Sequence, residues 1–310
     1  MDKVIVIVGP TAVGKTELSI KIAQTIPAEI ISGDSMQIYR GMDIGTGKVT
    51  KHEKKGIPHY MIDIKDVGES FSAADFKALT EEYISDIQSR GKVPIIVGGT
   101  GLYIESVLYD FKFTNLKRDP EVTTALEKRL KNEGNDVLYK ELMEIDELYA
   151  KKVHPNNAKR LIRALEIYLT NGLTMSDIER KQTKEPKYDF LLIGLDMERE
   201  TLYNRINERV DDMLKNGLFD EVTSFFNKQL ENTQAMQAIG YKELMPVLKE
   251  ETTIEQAVEL LKRNSRRYAK KQLTYFKNKM DINWYNMNLE NRNKTQQKII
   301  QDCLYFLNLH

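Results

Sequence analysis

The residues Gly9, Pro10, Thr11, Ala12, Val13, Gly14, Lys15 and Thr16 match G-x-x-x-x-G-K-[ST] at every required position, with a strand-like run before them and a helical pattern after. In such a loop the backbone N–H groups converge on the positive end of the following helix and cradle an anion. Gly9 and Gly14 permit the turns, Lys15 adds a cation for phosphate oxygens, and the Thr16 hydroxyl can ligate Mg²⁺. The loop therefore holds a di- or triphosphate, but it does not name the reaction. A P-loop hydrolase usually carries an acid at the end of a second hydrophobic strand. Here Ile95-Ile96-Val97 runs into Gly98-Gly99-Thr100 without one, and the acid stands instead at Asp34, after the run Glu29–Ser32 and Gly33. That arrangement argues against a plain ATPase.

Asp34 and Thr100 each follow a strand-like run, where ligands bind in open parallel sheets. Asp34 could ligate a metal or accept a proton, and Thr100 could offer its hydroxyl to a substrate. Equally, both residue types cap helices and close turns in these positions.

Lys262, Arg263, Arg266, Arg267, Lys270 and Lys271 recur in pairs four apart, which on a helix gives two adjacent rows of cations. No Asp or Glu lies between Leu260 and Met280, and Lys277 and Lys279 extend the run. The whole chain is balanced, with 46 basic and 46 acidic side chains, so the asymmetry is local. Like charges at this spacing repel by about 0.2–0.5 kcal/mol per pair. A polyanion is the natural compensation; a solvated face offset by acids elsewhere is the alternative. A second cluster, Lys151, Lys152, Lys159, Arg160 and Arg163, lies in a different region, and two basic surfaces suit an extended RNA. His59 and His154 adjoin prolines without a second ligand at metal spacing, which leaves them turn or packing roles.

These residues need elements to hold them. Strand-like runs fall at Val4–Val8, Glu29–Ser32, Tyr60–Ile64, Val93–Val97, Phe190–Leu195 and Trp284–Asn286. Helical patterns fall at Lys15–Thr25, from the N-cap Ser72 to Arg90, from Asp119-Pro120 to Gly134, at Ala158–Thr170, Arg199–Lys215, Leu218–Leu230 and Ile254–Lys279, and in a final amphipathic helix. Strand–helix alternation predicts an α/β fold: a P-loop-type core of parallel sheet and flanking helices. The stretch from about Asn115 to Lys187 reads as helices alone, so an all-helical insertion subdomain (115–187) is expected to interrupt a core made of 1–114 and 188–310.

The chain has 310 residues, of which 41% are hydrophobic and 30% charged, the balance of a water-soluble globular protein. Its N-terminal apolar run is too short for a signal core or membrane span, so no membrane association is expected. The lone cysteine, Cys303, cannot form an internal disulfide or a zinc pattern; it reads as buried filler in a cytoplasmic protein.

The longer runs Ser32–Lys48 (SGDSMQIYRGMDIGTGK), Ile57–Ile64, Phe71–Phe76, Val97–Tyr103 (VGGTGLY), His154–Glu166 (HPNNAKRLIRALE) and Gln237–Leu244 (QAIGYKEL), with the phosphate loop, resemble the bacterial tRNA dimethylallyltransferase (isopentenyltransferase) family. They come in order and cover nearly the whole chain. The resemblance implies transfer of a dimethylallyl group from dimethylallyl diphosphate to N6 of the adenosine 3′ of certain anticodons, with Mg²⁺ required and diphosphate released. It implies Asp34 as general base, Thr100 as a hydrogen-bond partner of the adenine, Arg209 as a diphosphate contact, and an insertion that grips the anticodon stem-loop. It aligns tRNA contacts with Asp34, Ser35, Met36 and Gln37; with Lys159, Arg160, Leu161, Ile162 and Arg163; with Gln237, Ala238, Ile239, Gly240, Tyr241 and Lys242; and with the span containing Lys270, Lys271 and Lys277. Thr123 stands where relatives of this kind would carry a basic contact. A monomer is expected. Three alternatives remain open on the residues: prenylation of free AMP, ADP or ATP, which needs neither insertion nor basic helix; a small-molecule kinase; and a non-catalytic RNA-binding protein with the loop as a switch.

Overall fold

The computed structural model describes residues 3–112, 119–182 and 185–309. The chain divides into two compact units, Met1–Leu108 with Pro186–His310, and Tyr109–Glu185. The boundary expected between residues 114 and 115 lies outside the described residues.

The first unit contains β1 (Lys3–Val8), α1 (Lys15–Thr25), β2 (Ala28–Ser32), β3 (His59–Tyr60), α2 (Ala73–Ser89), β4 (Val93–Gly98) and α3 (Gly101–Leu108). The second unit contains α4 (Pro120–Glu133), α5 (Asn135–Ile145), α6 (Glu147–Ala150), α7 (Ala158–Asn171) and α8 (Met175–Arg180). The first unit then resumes with β5 (Asp189–Asp196), α9 (Arg199–Lys215), α10 (Leu218–Asn227), a 3₁₀ turn (Ala235–Gln237), α11 (Tyr241–Leu248), α12 (Ile254–Lys279), β6 (Asn283–Asn286), a second 3₁₀ turn (Leu289–Asn291) and α13 (Arg292–Leu307).

The sheet runs β3-β2-β4-β1-β5-β6 and every neighbouring pair is parallel. From β1 to β2 the chain steps one way across the sheet, and from β3 to β4 it steps back. Right-handed crossovers therefore put α1 and α2 on opposite faces. Both faces are covered, which is why the β1 residues Val4, Ile5, Val6, Ile7 and Val8 are all fully buried. Among them, Ile5 and Ile7 belong to a core cluster with Leu18 and Ile22 of α1 and with Ile299 and Cys303 of α13. Burial pushes the Cys303 thiol up to about 12, so it stays a protonated filler.

Local chemistry accounts for several helix starts. Ser72 accepts from the Asp75 N–H at 3.2 Å while Asp75 accepts from the Ser72 N–H at 2.8 Å, a reciprocal cap for α2. Asp119 caps α4 ahead of Pro120, and Asn157 caps α7. The strand expected over Tyr60–Ile64 is instead only His59–Tyr60, because Met61 and Asp63 adopt positive φ angles of 62° and 56° that no ladder accommodates.

The second unit folds around its own core of Leu126, Leu138, Leu142, Tyr149, Ala150, Val153, Leu161, Ala164 and Leu165. Asp146 caps α6 through the Tyr149 N–H at 3.1 Å and receives the Ser176 N–H at 2.9 Å, tying α6 to α8. No helix among the described residues is long and apolar enough to cross a membrane.

Candidate active site

The C-terminal ends of β1, β2 and β4 carry the phosphate loop, Asp34 and Thr100 respectively. The Gly33 N–H donates to Val97 O at 2.7 Å, and the Ser35 N–H donates to the Thr100 hydroxyl at 3.3 Å. These bonds hold the two strand ends side by side. Asp34 Oδ1 accepts from the Met36 N–H at 2.8 Å, while Oδ2 has no protein hydrogen bond among the described residues.

In the phosphate loop, the Lys15 ammonium donates to Gly9 O at 2.9 Å and Pro10 O at 2.7 Å. Burial first, and the Arg209 guanidinium second, lower its pKa to about 7, with Asp34 opposing. Helix α9 supplies two further cations, one turn apart. Arg205 donates to Ala12 O at 2.9 Å. Arg209 donates to the Thr11 hydroxyl at 3.3 Å and Thr46 O at 3.4 Å, and burial lowers its pKa against the pull of Asp34. Gly47, at φ 57°, lies so close to the Arg209 guanidinium that a Cβ there would overlap it.

Glu221 of α10 positions the loop that follows Gln37. Its carboxylate accepts from the N–H groups of Asp43 at 2.9 Å, Ile44 at 2.8 Å and Gly45 at 3.1 Å, and from the Tyr241 hydroxyl at 2.5 Å.

Two cavities meet at this point. One, of about 1110 Å³, contains Lys15, Thr16 and Arg205. The other, of about 470 Å³, has an apolar wall of Ile206, Val210 and Leu261 and is also lined by Lys242, Arg267 and Lys271. Thr11, Asp34, Thr46, Arg209 and Tyr268 line both. Burial and the field of Asp34 push the Tyr268 hydroxyl up to about 12, so it remains a neutral hydrogen-bonding group.

The expected residues thus fall into groups. Asp34, Thr100, Arg209 and the whole loop Gly9–Thr16 lie together, with Ser35, Met36, Gln237, Ala238, Ile239, Gly240 and Lys242 lining the smaller cavity and Gln37 the larger. Tyr241 is fully buried beneath Glu221, so its side chain braces the loop rather than facing solvent. Leu161 is likewise core, and Ile162 packs against that core, which leaves Lys159 and Arg160 as the outward cations of α7. In the insertion cluster Lys151 pairs with Glu147 at 2.7 Å, Lys152 with Glu179 at 2.6 Å and Arg163 with Glu166 at 2.8 Å. Thr123 donates its hydroxyl to Asp119 O at 3.0 Å, a bond within its own helix.

On α12 the cations divide into a paired set and an exposed set. Lys262 pairs with Asp211 at 2.7 Å and Arg266 donates to Asn207 at 2.6 Å, both on α9. Arg263, Arg267, Lys270 and Lys271 are exposed and carry no ion pair among the described residues. Lys277 pairs with Asp196 at 2.7 Å and lies over the Trp284 ring. His59 Nδ1 bonds Ile57 O at 2.8 Å, and His154 Nδ1 accepts from the Asn156 N–H at 3.1 Å, as turn residues do.

Sequence reasoning missed Arg205, Tyr268 and Gln272. Arg205 had a signal, since it sits one helical turn before Arg209. Tyr268 and Gln272 gave none, because an aromatic and an amide on a buried helix face read as packing.

A family described as IPP transferase is matched over residues 37–279. The tRNA dimethylallyltransferase of Bacillus anthracis is 54% identical over 286 residues, covering 92% of this chain and 91% of that protein. A tRNA isopentenylpyrophosphate transferase of Staphylococcus epidermidis superposes with a TM-score of 0.73 at 50% identity, covering 100% of both chains. A eukaryotic dimethylallyltransferase acting on tRNA superposes with a TM-score of 0.84 at 32% identity, covering 99% of this chain and 80% of that one.

Proposed function

The chain belongs to the IPP transferase family, and we propose that it moves a dimethylallyl group from dimethylallyl diphosphate to N6 of the adenosine 3′ of the anticodon in tRNA. The meeting at Asp34 of the cavity that holds Lys15, Arg205 and Arg209 of the phosphate site with a second, partly apolar cavity carries this reading. A donor seated in the first and a base seated in the second have their reacting atoms at the shared wall.

The adenine N6 lone pair is delocalised into the ring, so the amine is a poor nucleophile until its proton has somewhere to go. Asp34 Oδ2 is the acceptor that the site offers, since Oδ1 is committed to Met36. As N6 bonds to C1 of the allyl group, the C1–O bond breaks and its electron pair leaves with the diphosphate. The N6 proton passes to Asp34 and then to solvent. Lys15, Arg209 and the backbone N–H groups of Ala12–Thr16 stabilise the charge developing on the leaving group. The P-loop here holds a leaving group and transfers no phosphoryl group.

Among the described residues no three His, Cys, Asp or Glu side chains gather as a resident metal site. Mg²⁺ fits instead as a companion of the diphosphate, and the exposed Thr16, beside Lys15, would hold it through its hydroxyl. When bound, the ion neutralises charge on the diphosphate.

The tRNA must extrude the target base, which is cheaper from a loop than from a duplex. Thr100, whose hydroxyl accepts from the Ser35 N–H at the adjoining strand ends, is proposed to hydrogen-bond it. Lys242, Arg267 and Lys271, which line the second cavity, and the exposed Lys159 and Arg160 are proposed to meet RNA phosphates. Incubation with radiolabelled dimethylallyl diphosphate and either unmodified tRNA or AMP tests the reading. Label in tRNA alone supports it. Label in AMP makes the enzyme a free-nucleotide prenyltransferase, and ATP consumption without label makes it a kinase.

A further inference from the structure

Beyond the paired residues Val8 and Gly98 the ladder between β1 and β4 ends. The loops that follow are the phosphate loop and the Gly99-Thr100 turn, and no strand pairing fixes their spacing. Gln272 of α12 does. It is buried, although its neighbours Lys270 and Lys271 are exposed. Its Oε1 accepts from the Thr11 N–H at 2.9 Å, and its Nε2 donates to Gly99 O at 3.1 Å. A Cβ at Gly99 would overlap this amide, so the glycine is required by the close approach. Tyr268, one turn earlier on the helix, stands beside both Thr100 and Gln272. The amide supplies the acceptor and the donor on two separate atoms with no charge to bury.

We propose that Gln272 is a positioning residue for the transfer reaction. It acts as a strut that sets the separation of the diphosphate loop from the threonine that meets the base, with both polar atoms of its amide committed to the protein backbone. This inference rests on the prenyl-transfer reading of the site. Each half-site stays whole without the strut, so its loss falls on turnover and not on binding.

The test uses the full chain with Q272M, which keeps length and removes both bonds, and Q272E. Single-turnover transfer to tRNA, affinity for inorganic diphosphate and affinity for an anticodon stem-loop RNA are measured for each. In Q272M the transfer rate is expected to fall on the order of 100-fold, the scale of a misplacement of about 1 Å, while both affinities stay within about threefold. In Q272E the protonated carboxyl reproduces the amide pattern, accepting from Thr11 and donating to Gly99, whereas the carboxylate has no donor. Burial raises the pKa of such a carboxyl, so the ratio of Q272E to wild-type rates should rise as pH falls. Wild-type turnover in Q272M, or diphosphate and RNA affinities that fall with the rate, would overturn the strut. So would a Q272E ratio that ignores pH, which decides the matter even if Q272M does not fold. A wild type that transfers nothing to tRNA would overturn the prenyl-transfer reading itself, and this inference with it.

Discussion

Lys15 shows how one side chain reports on its site. Burial and Arg209 hold its pKa near 7, so above that pH the empty site has lost much of its cation. A bound diphosphate restores the proton, because its negative charge favours the ammonium. The bound state therefore binds more protons than the free state between pH 7 and the raised bound value. It follows that affinity for a non-reactive diphosphate monoester at fixed Mg²⁺ should be steady below pH 7. It should weaken above that, by up to about tenfold per pH unit. Calorimetry in buffers of different ionisation enthalpy should show uptake of nearly one proton at about pH 8.5, and a pH-independent affinity would mean that Lys15 stays charged throughout. Asp34 carries the second prediction at this scale. Asp34→Asn keeps the hydrogen bond to Met36 within reach but removes the proton acceptor. Transfer should then fall on the order of 100-fold or more while RNA affinity is held, and undiminished turnover would remove Asp34 as the base.

Helix α12 carries two roles on different faces. Two cations, Lys262 and Arg266, are tied to α9 through Asp211 and Asn207, and a second set, Arg263, Arg267, Lys270 and Lys271, is exposed. Only the second is open to phosphates. The double substitution Lys270→Ala with Lys271→Ala should weaken tRNA binding and reduce the slope of log K against log salt by ~1.4–1.8, the release expected for two phosphate contacts. Lys262→Ala should leave that slope unchanged and lower the melting temperature instead, because it breaks a bond to α9. An equal effect of both on the slope would show that the paired and exposed sets are not separated in solution. The sequence made α1, α9 and α12 legible to the residue, since each is a long periodic run with a clear start and stop. It also placed Asp34 and Thr100 at strand ends. It overextended β3, where positive φ at Met61 and Asp63 breaks an apolar run that looks like strand. It left α11 unread, since Gly240 before the helix and Pro246 inside it signal a turn. The stripe looked uniform because charge pairing with α9 is a tertiary fact, as are the approaches of Arg205 to Ala12 and Gln272 to Thr11.

The whole chain is built as a core with a second unit spliced into it, and the splice is closed by the core itself. The Lys187 N–H donates to Leu108 O at 2.8 Å, so the chain leaves and re-enters the first unit at adjoining points. The sheet and the residues around Asp34 belong to the first unit, while the second has its own apolar core. Among the described residues, those lining the phosphate cavity all belong to the first unit. Replacing Tyr109–Glu185 with a linker of about four Gly and Ser residues spans the gap with length to spare. The shortened protein should fold cooperatively and bind diphosphate as the full chain does. Its RNA affinity should drop on the order of tenfold or more, because Lys159 and Arg160 go with the excised unit. If it instead binds tRNA as tightly as the full chain, the second unit takes no part in gripping RNA. If it loses diphosphate binding while still folded, the core depends on the insertion in a way that its hydrogen bonds do not reveal. Transfer to free AMP is the sharpest readout on the same protein: an enzyme that needs RNA contacts to seat its acceptor base gains no activity on AMP when those contacts are cut away.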